Sequence, residues 1–261
     1  MRILILGGTR EARELARRGT GERGWDIVSS LAGRVRDPLL PEGRVRIGGF
    51  GGAAGLRTWL TEHEIDAVVD LTHPFAATIS ATAAAVTTEL GVPLARVLRP
   101  GWTESAGDTW VRVPDLATAA AALPDLGARV FLTIGRQGVA AFADLDEHWF
   151  LVRAIDPPEP PLPRAHEILL ERGPFTVEHE RALMREHRVE VLVTKDSGGA
   201  QTEAKLTAAR AVGLPVVMVD RPALPAGATV VATVEQAMDW LRAQRDSSDG
   251  SRSNQSRTAR S

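Results

Sequence analysis

Among its 261 residues the chain has no cysteine and no tyrosine. The first absence removes disulfides, thiolate nucleophiles, iron–sulfur clusters and thiolate zinc sites. The second removes the Tyr-x-x-x-Lys catalytic pair of short-chain dehydrogenases. An excess of one charge is missing as well, since 31 Lys and Arg against 33 Asp and Glu leave a net −2. No concentrated basic face for nucleic acid is expected, and a small-molecule partner is favoured by elimination. Long apolar runs are absent. Met1–Gly7 is too short for a signal peptide or a membrane span, so no membrane association and a cytoplasmic location are expected. Histidine is scarce, at six residues. With no second histidine near His73 at ligand spacing and no Glu-x-x-His pattern, no metal site is expected.

What the chain does have is alternation. Short apolar runs at Arg2–Leu6, Asp26–Ser30, Val45–Ile47, Ala67–Leu71 and Leu94–Leu98 alternate with helical patterns at Arg10–Arg18, Gly55–Glu64 and Phe75–Leu90. A second series follows. Its strands are Arg129–Thr133, Trp149–Ala154, Glu167–Leu170, Val189–Thr194 and Pro215–Val219, with helices at Thr176–His187, Thr202–Val212 and Val234–Ala243. The pattern predicts an α/β protein with two doubly wound parallel sheets. Pro124–Gly127 marks the expected junction, giving one domain over 1–125 and another over 126–244. From Arg245 the chain is Ser-, Arg- and Asp-rich without apolar periodicity, and 245–261 is expected to be a disordered tail.

The polar ends of these strands carry the functional signal, because open α/β sheets bind ligands there. Gly7-Gly8-Thr9-Arg10-Glu11-Ala12 follows the first strand and opens a helix, where backbone N–H groups receive a phosphate. Thr9 stands at the second glycine of the dinucleotide fingerprint, so the match is partial and a turn that binds nothing fits it too. An acidic residue about twenty positions on would read an NAD ribose. Ser29, Ser30 and Arg34 stand there instead, and hydroxyls with a guanidinium suit a 2′-phosphate, hence NADPH. Gly48–Gly52 can pass close to the same cofactor, or simply connect a strand to a helix.

Asp70-Leu71-Thr72-His73-Pro74-Phe75 ends another apolar strand. Pro74 is expected to open the next helix at its first position, which fixes Thr72 and His73 on a defined turn. In the second half, Gly135-Arg136 and Lys195-Asp196-Ser197-Gly198-Gly199 end two strands. Arg136 and Lys195 make an anion-binding wall, with Ser197 and Gly198 forming an amide nest. The repetition of such strand ends suggests a ligand gripped in an interdomain cleft. Arg153 interrupts an apolar strand and must pair with an acid or face a cleft. On residues alone, an NADP-dependent reductase of a small anion and a non-catalytic NADP-binding protein both remain open. A methyl transferase is the more distant alternative.

Seven blocks taken together resemble the precorrin-6A reductases: Gly7–Glu11, Ser30–Arg34, Asp70–Ala76, Thr133–Arg136, Arg153–Pro158, Gly173–Thr176 and Thr194–Gly199. The resemblance covers residues 1–244. It implies two Rossmann-like domains and an NADPH-dependent reduction of a macrocycle double bond in cobalamin biosynthesis. Gly8, Thr9 and Arg10 would then hold cofactor phosphates, and Ser30 and Arg34 the 2′-phosphate. Thr72, His73 and Pro74 would flank the nicotinamide. Arg136, Lys195, Ser197 and Gly198 would hold tetrapyrrole carboxylates. The catalytic candidates are His73 and Lys195, with positioning favoured over proton transfer for both. A monomer or weak homo-oligomer is expected.

Overall fold

The computed structural model describes residues 1–33 and 36–258, with Gln201 and 248–258 described by backbone alone. The chain divides into two compact units, unit 1 built from Met1–Arg99 and Ala223 onward, unit 2 from Pro100–Pro222.

Unit 1 begins with strands β1 (Arg2–Leu6), β2 (Asp26–Leu31), β3 (Arg44–Ile47), β4 (Ala67–Asp70) and β5 (Leu94–Val97) and helices α1 (Arg10–Thr20), α2 (Gly52–Glu62) and α3 (Ala77–Leu90). Unit 2 contributes strands β6 (Trp110–Val113), β7 (Arg129–Thr133), β8 (Trp149–Ala154), β9 (Ala165–Leu170), β10 (Val191–Lys195) and β11 (Val216–Val219), with helices α4 (Leu116–Ala122), α5 (Val177–Glu186) and α6 (Ala204–Val212). The chain then returns to unit 1 as β12 (Thr229–Val231) and α7 (Val234–Thr258).

Each unit holds one six-stranded sheet, ordered β12-β5-β4-β1-β2-β3 in unit 1 and β6-β11-β10-β7-β8-β9 in unit 2. Neighbouring strands pair in parallel throughout. Helices cover both faces of such sheets, so central strands are apolar without alternation. β4, β5 and β11 are accordingly buried along their whole length. In unit 1, Ala12, Leu15 and Ala16 of α1 share a core with Val234, Ala237, Met238 and Leu241 of α7. The α7 residues fall at helical spacing on one face. In unit 2, Leu183 and Met184 of α5 and Leu206 and Ala209 of α6 pack with Phe131, Leu151 and Leu192.

Two expectations are corrected. The junction lies at Arg99–Pro100 and the chain crosses back at Pro222–Ala223, not once near residue 125. The physical reason is strand pairing: β6, ahead of the expected junction, completes the second sheet beside β11, while β12 completes the first beside β5. Helix α7 also runs on to Thr258 through the segment expected to be disordered. No proline interrupts it there, so nothing covalent ends the helix at residue 245.

Candidate active site

Strand order fixes where a ligand can sit. In unit 1 the chain moves one way from β1 through β2 to β3 and the other way from β4 to β5, so the direction reverses between β1 and β4. The carboxyl ends flanking such a reversal leave a crevice. Gly7–Thr9 end β1 and Asp70–Pro74 end β4. Thr9, Glu11, Leu71, Thr72, Pro74 and Arg99 line the crevice they form.

Gly7 makes that approach possible. Its φ is +118°, and a Cβ there would lie 2.7 Å from the Leu71 carbonyl oxygen. Only glycine accepts both conditions. Thr9 caps α1, its Oγ1 accepting from the Ala12 N–H at 3.2 Å while donating to the Leu71 carbonyl at 2.9 Å. One hydroxyl therefore joins the start of the helix to the end of β4. Arg10 is exposed at the first position of α1, and Gly8 is exposed before it. Glu11, a carboxylate in the turn where an anion would bind, is paired with Arg99 at 3.3 Å.

A buried network holds the second wall. Asp70 Oδ1 accepts from the Thr72 N–H (2.9 Å) and from Thr72 Oγ1 (2.7 Å). Asp70 Oδ2 pairs with Arg96 of β5 at 2.5 Å, and Arg96 also reaches Ser80 of α3. All three, Asp70, Arg96 and Ser80, are buried. Pro74 does not open α3. It sits inside a turn closed by the Ala76 N–H on the His73 carbonyl (2.8 Å), and the helix starts at Ala77. With Pro74 buried and His73 exposed, the turn is fixed by its proline and by Asp70 beneath it. His73 Nδ1 accepts from the Phe75 N–H at 3.3 Å.

Ser30 is buried at the end of β2, its carbonyl accepting from the Gly7 N–H (3.0 Å) and its Oγ from Arg46 Nη1 (2.8 Å). The expectation for Arg34 lies outside the described residues.

Unit 2 reverses direction between β7 and β10, and its expected binding residues stand at those two strand ends. Thr133 Oγ1 donates to the Val193 carbonyl (3.1 Å), locking the two strands together where they end. Arg136 follows β7, half-buried and 3.8 Å from Glu159. Lys195 is the last residue of β10, and burial pushes its ammonium below the usual lysine range. The Ser197 N–H donates to the Lys195 carbonyl at 2.6 Å, a tight turn around buried Asp196. Asp196 accepts from the Trp102 N–H and from Arg112 Nη2, both at 3.0 Å, while Arg221 Nε donates to its carbonyl at 2.8 Å. Gly198 has φ +66° and is buried against the Pro100 carbonyl, where a Cβ would collide. The loop is closed by Trp102 Nε1 on the Gly199 carbonyl (3.2 Å) and by Lys205 Nζ on the Thr202 carbonyl (2.9 Å). Lys205 is fully buried, and burial lowers its pKa to about 7. Arg153 pairs with an acid, Glu180, at 2.8 Å in the interior.

Residues outside the sequence motifs therefore position those within them. Arg96 on β5 carried the same signal as Arg153, a charge inside a buried apolar strand that requires a partner. Among the described residues there is no metal-ligating cluster of His, Asp or Glu, and no helix long and apolar enough to cross a membrane.

Comparison with known proteins bears on this geometry. A family model described as precorrin-6x reductase CbiJ/CobK matches residues 2–242. A precorrin-6A reductase of Rhodococcus erythropolis is 58% identical over 240 residues, covering 92% of this chain and 97% of that protein. One from Mycobacterium tuberculosis is 52% identical over 241 residues, with the same coverage of each. A solved structure of CobK precorrin-6A reductase superposes with a TM-score of 0.87 at 47% identity, covering 94% of this chain and 97% of that one.

Proposed function

The chain belongs to the precorrin-6x reductase CbiJ/CobK family, and on that premise we propose how its residues carry out the reaction, with NADPH as the reductant. The reaction is reduction of a carbon–carbon double bond of precorrin-6A in cobalamin biosynthesis. Such a reduction adds a hydride to one carbon and a proton to its neighbour, and NADPH supplies the hydride when bound.

The observation that carries the cofactor assignment is the Gly7 turn. A positive φ and a carbonyl too close for any Cβ bring the start of α1 against the end of β4, which is how a dinucleotide's pyrophosphate is approached. Gly8, Thr9 and Arg10 present backbone N–H groups and one cation to the phosphates. Arg99 offsets the charge of Glu11 beside them. Thr72 and Pro74 shape the nicotinamide side of the crevice, and His73 contributes placement there. The absence of an acidic residue at the end of β2, with Ser30 in its place and Arg34 following, supports a 2′-phosphate.

Arg136, Lys195, Ser197 and the Gly198 N–H take carboxylates of the tetrapyrrole, which orients the macrocycle for reduction. Of the two candidates, Lys195 is the one whose hold on its proton burial weakens. A cytoplasmic location goes with this reading.

The test is anaerobic incubation with NADPH and enzymatically made precorrin-6A, following NADPH absorbance and the macrocycle spectrum together. Coupled, stoichiometric change is expected. NADPH loss without a spectral change, or no loss at all, rejects the reading.

A further inference from the structure

We propose that Arg46 on β3 is a cation that reads the 2′-phosphate of the cofactor in addition to Arg34, a specificity residue outside the Gly7 and Ser30–Arg34 motifs. This rests on the NADPH reading above. In a parallel sheet of this order the ribose of a dinucleotide held at the end of β1 lies over the end of β2. Ser30 stands at that end, and Arg46 pairs with it across β2 and β3.

The first argument is charge. Arg46 is half-buried, and its hydrogen-bond partners among the described residues are all neutral: Ser30 Oγ at 2.8 Å and the carbonyls of Gly48 (2.9 Å) and Gly49 (3.1 Å). Its guanidinium lies 3.8 Å from the Phe50 ring centroid, with Trp59 beyond at 5.8 Å. No carboxylate among the described residues opposes the lowering of its pKa by burial. Arginine does not give up its proton in response. A partly buried cation without a counter-ion is costly, and an anionic ligand removes that cost.

The second argument is direction. Nη1 spends both hydrogens on Ser30 and Gly48, and Nη2 spends one on Gly49. Among the described residues nothing accepts the Nε–H or the second Nη2–H. The Nε and Nη2 edge is the one with which Arg57 grips Glu89 and Arg210 grips Asp108 elsewhere in this chain. Stacking on Phe50 and three fixed acceptors hold the fork still, so little order is lost when two phosphate oxygens meet it.

The test is calorimetric titration of the full chain, without substrate, with 2′,5′-ADP and with 5′-AMP. The wild type should bind 2′,5′-ADP the more tightly. Arg46→Gln should weaken 2′,5′-ADP roughly 10- to 100-fold, as loss of a charged hydrogen bond does, and leave 5′-AMP within about twofold. Arg46→Lys, which keeps the charge and loses the fork, should fall between them, and it serves as the readout if the glutamine variant does not fold. Equal loss for both ligands makes Arg46 a structural residue and overturns the proposal. Unchanged 2′,5′-ADP affinity overturns it as well, leaving the NADPH reading intact. A wild type that does not distinguish the two ligands fails the NADPH reading first, and the proposal with it.

Discussion

The two units use one scaffold with two different linings. Five strands of each sheet have the same order outward from the point of reversal. The sixth is the last strand of the chain in unit 1 and the first of its unit in unit 2. The match extends to small fixtures. The Arg2 N–H donates to Asp66 and the Arg129 N–H to Glu190. Arg2 reaches the His63 carbonyl, and Arg129 the His187 carbonyl. His63 stacks on Trp59, His187 on Trp149, and each histidine precedes a non-glycine residue of positive φ, Glu64 or Arg188. At the reversal the likeness ends. By strand register Leu71 follows β4 where Lys195 ends β10, and Thr72 stands where unit 2 has Asp196. The unit 1 crevice is lined by the Thr9 and Thr72 hydroxyls, by Leu71 and Pro74, and by the Glu11–Arg99 pair. The corresponding strand ends of unit 2 carry Arg136 and Lys195, with buried Asp196 holding the turn that follows β10. One scaffold thus carries two different sets of side chains at the same strand ends.

That contrast can be broken at its strongest point, the pairs that brace each turn. Arg96→Met leaves Asp70 charged and unpaired in the interior, and should cost about 3–5 kcal/mol of unfolding free energy. Arg112→Met removes a half-exposed partner from the Asp196 carboxylate, which keeps Arg221 Nη2 at 3.9 Å and the Trp102 N–H, and should cost about 1 kcal/mol or less. Urea denaturation of both variants checks the difference. Equal costs would mean that the two turns are braced alike.

A smaller effect separates the linings in catalysis. Lys195→Met should lower kcat roughly 100-fold or more with little change in the KM for NADPH. His73→Ala should raise that KM a few-fold, since its role is placement. A His73→Ala enzyme with wild-type KM and kcat would take the histidine out of the nicotinamide side altogether.

A dependence on pH tests the loop of unit 2. Lys205 releases its proton near pH 7 when folded and near the ordinary value of 10.5 when unfolded, so between those values the unfolded chain holds more protons. Stability contributed by this group therefore rises with pH across that window. Lys205→Met should remove up to about 2–3 kcal/mol of the rise between pH 7 and pH 9, read from denaturation curves of variant and wild type. An identical slope in both would show that Lys205 does not titrate there.

Much of the fold was legible because buried parallel strands announce themselves. β1, β7 and β8 begin and end where their apolar runs do, at Arg2–Leu6, Arg129–Thr133 and Trp149–Ala154. β6 and β12 were not, with four and three residues respectively. Each is an edge strand whose place is decided by a partner far away in the chain, which no local pattern records. The strand-end turns of the site were readable for the same reason as the strands, since glycines and polar groups mark where apolar runs stop. Their supports were not. Arg96 and Asp70 are 26 residues apart and meet only because β4 lies beside β5. Arg46 gains its meaning only from Ser30 across β2 and β3.

The two crossings of the chain also set an order of assembly. Every strand of unit 2 lies within Pro100–Pro222, so on a ribosome it can close its sheet as soon as β11 has emerged. Unit 1 is synthesised first and finishes last. Ile3, Ile5 and Leu15 share a core with Ala237, Met238 and Leu241, more than 200 residues downstream. Until α7 is made, only α1 among the helices of that core covers this face of the first sheet. A nascent chain stalled in unit 2 would thus carry an open apolar surface at its amino-terminal end, and a fragment cut after β5 would inherit it permanently.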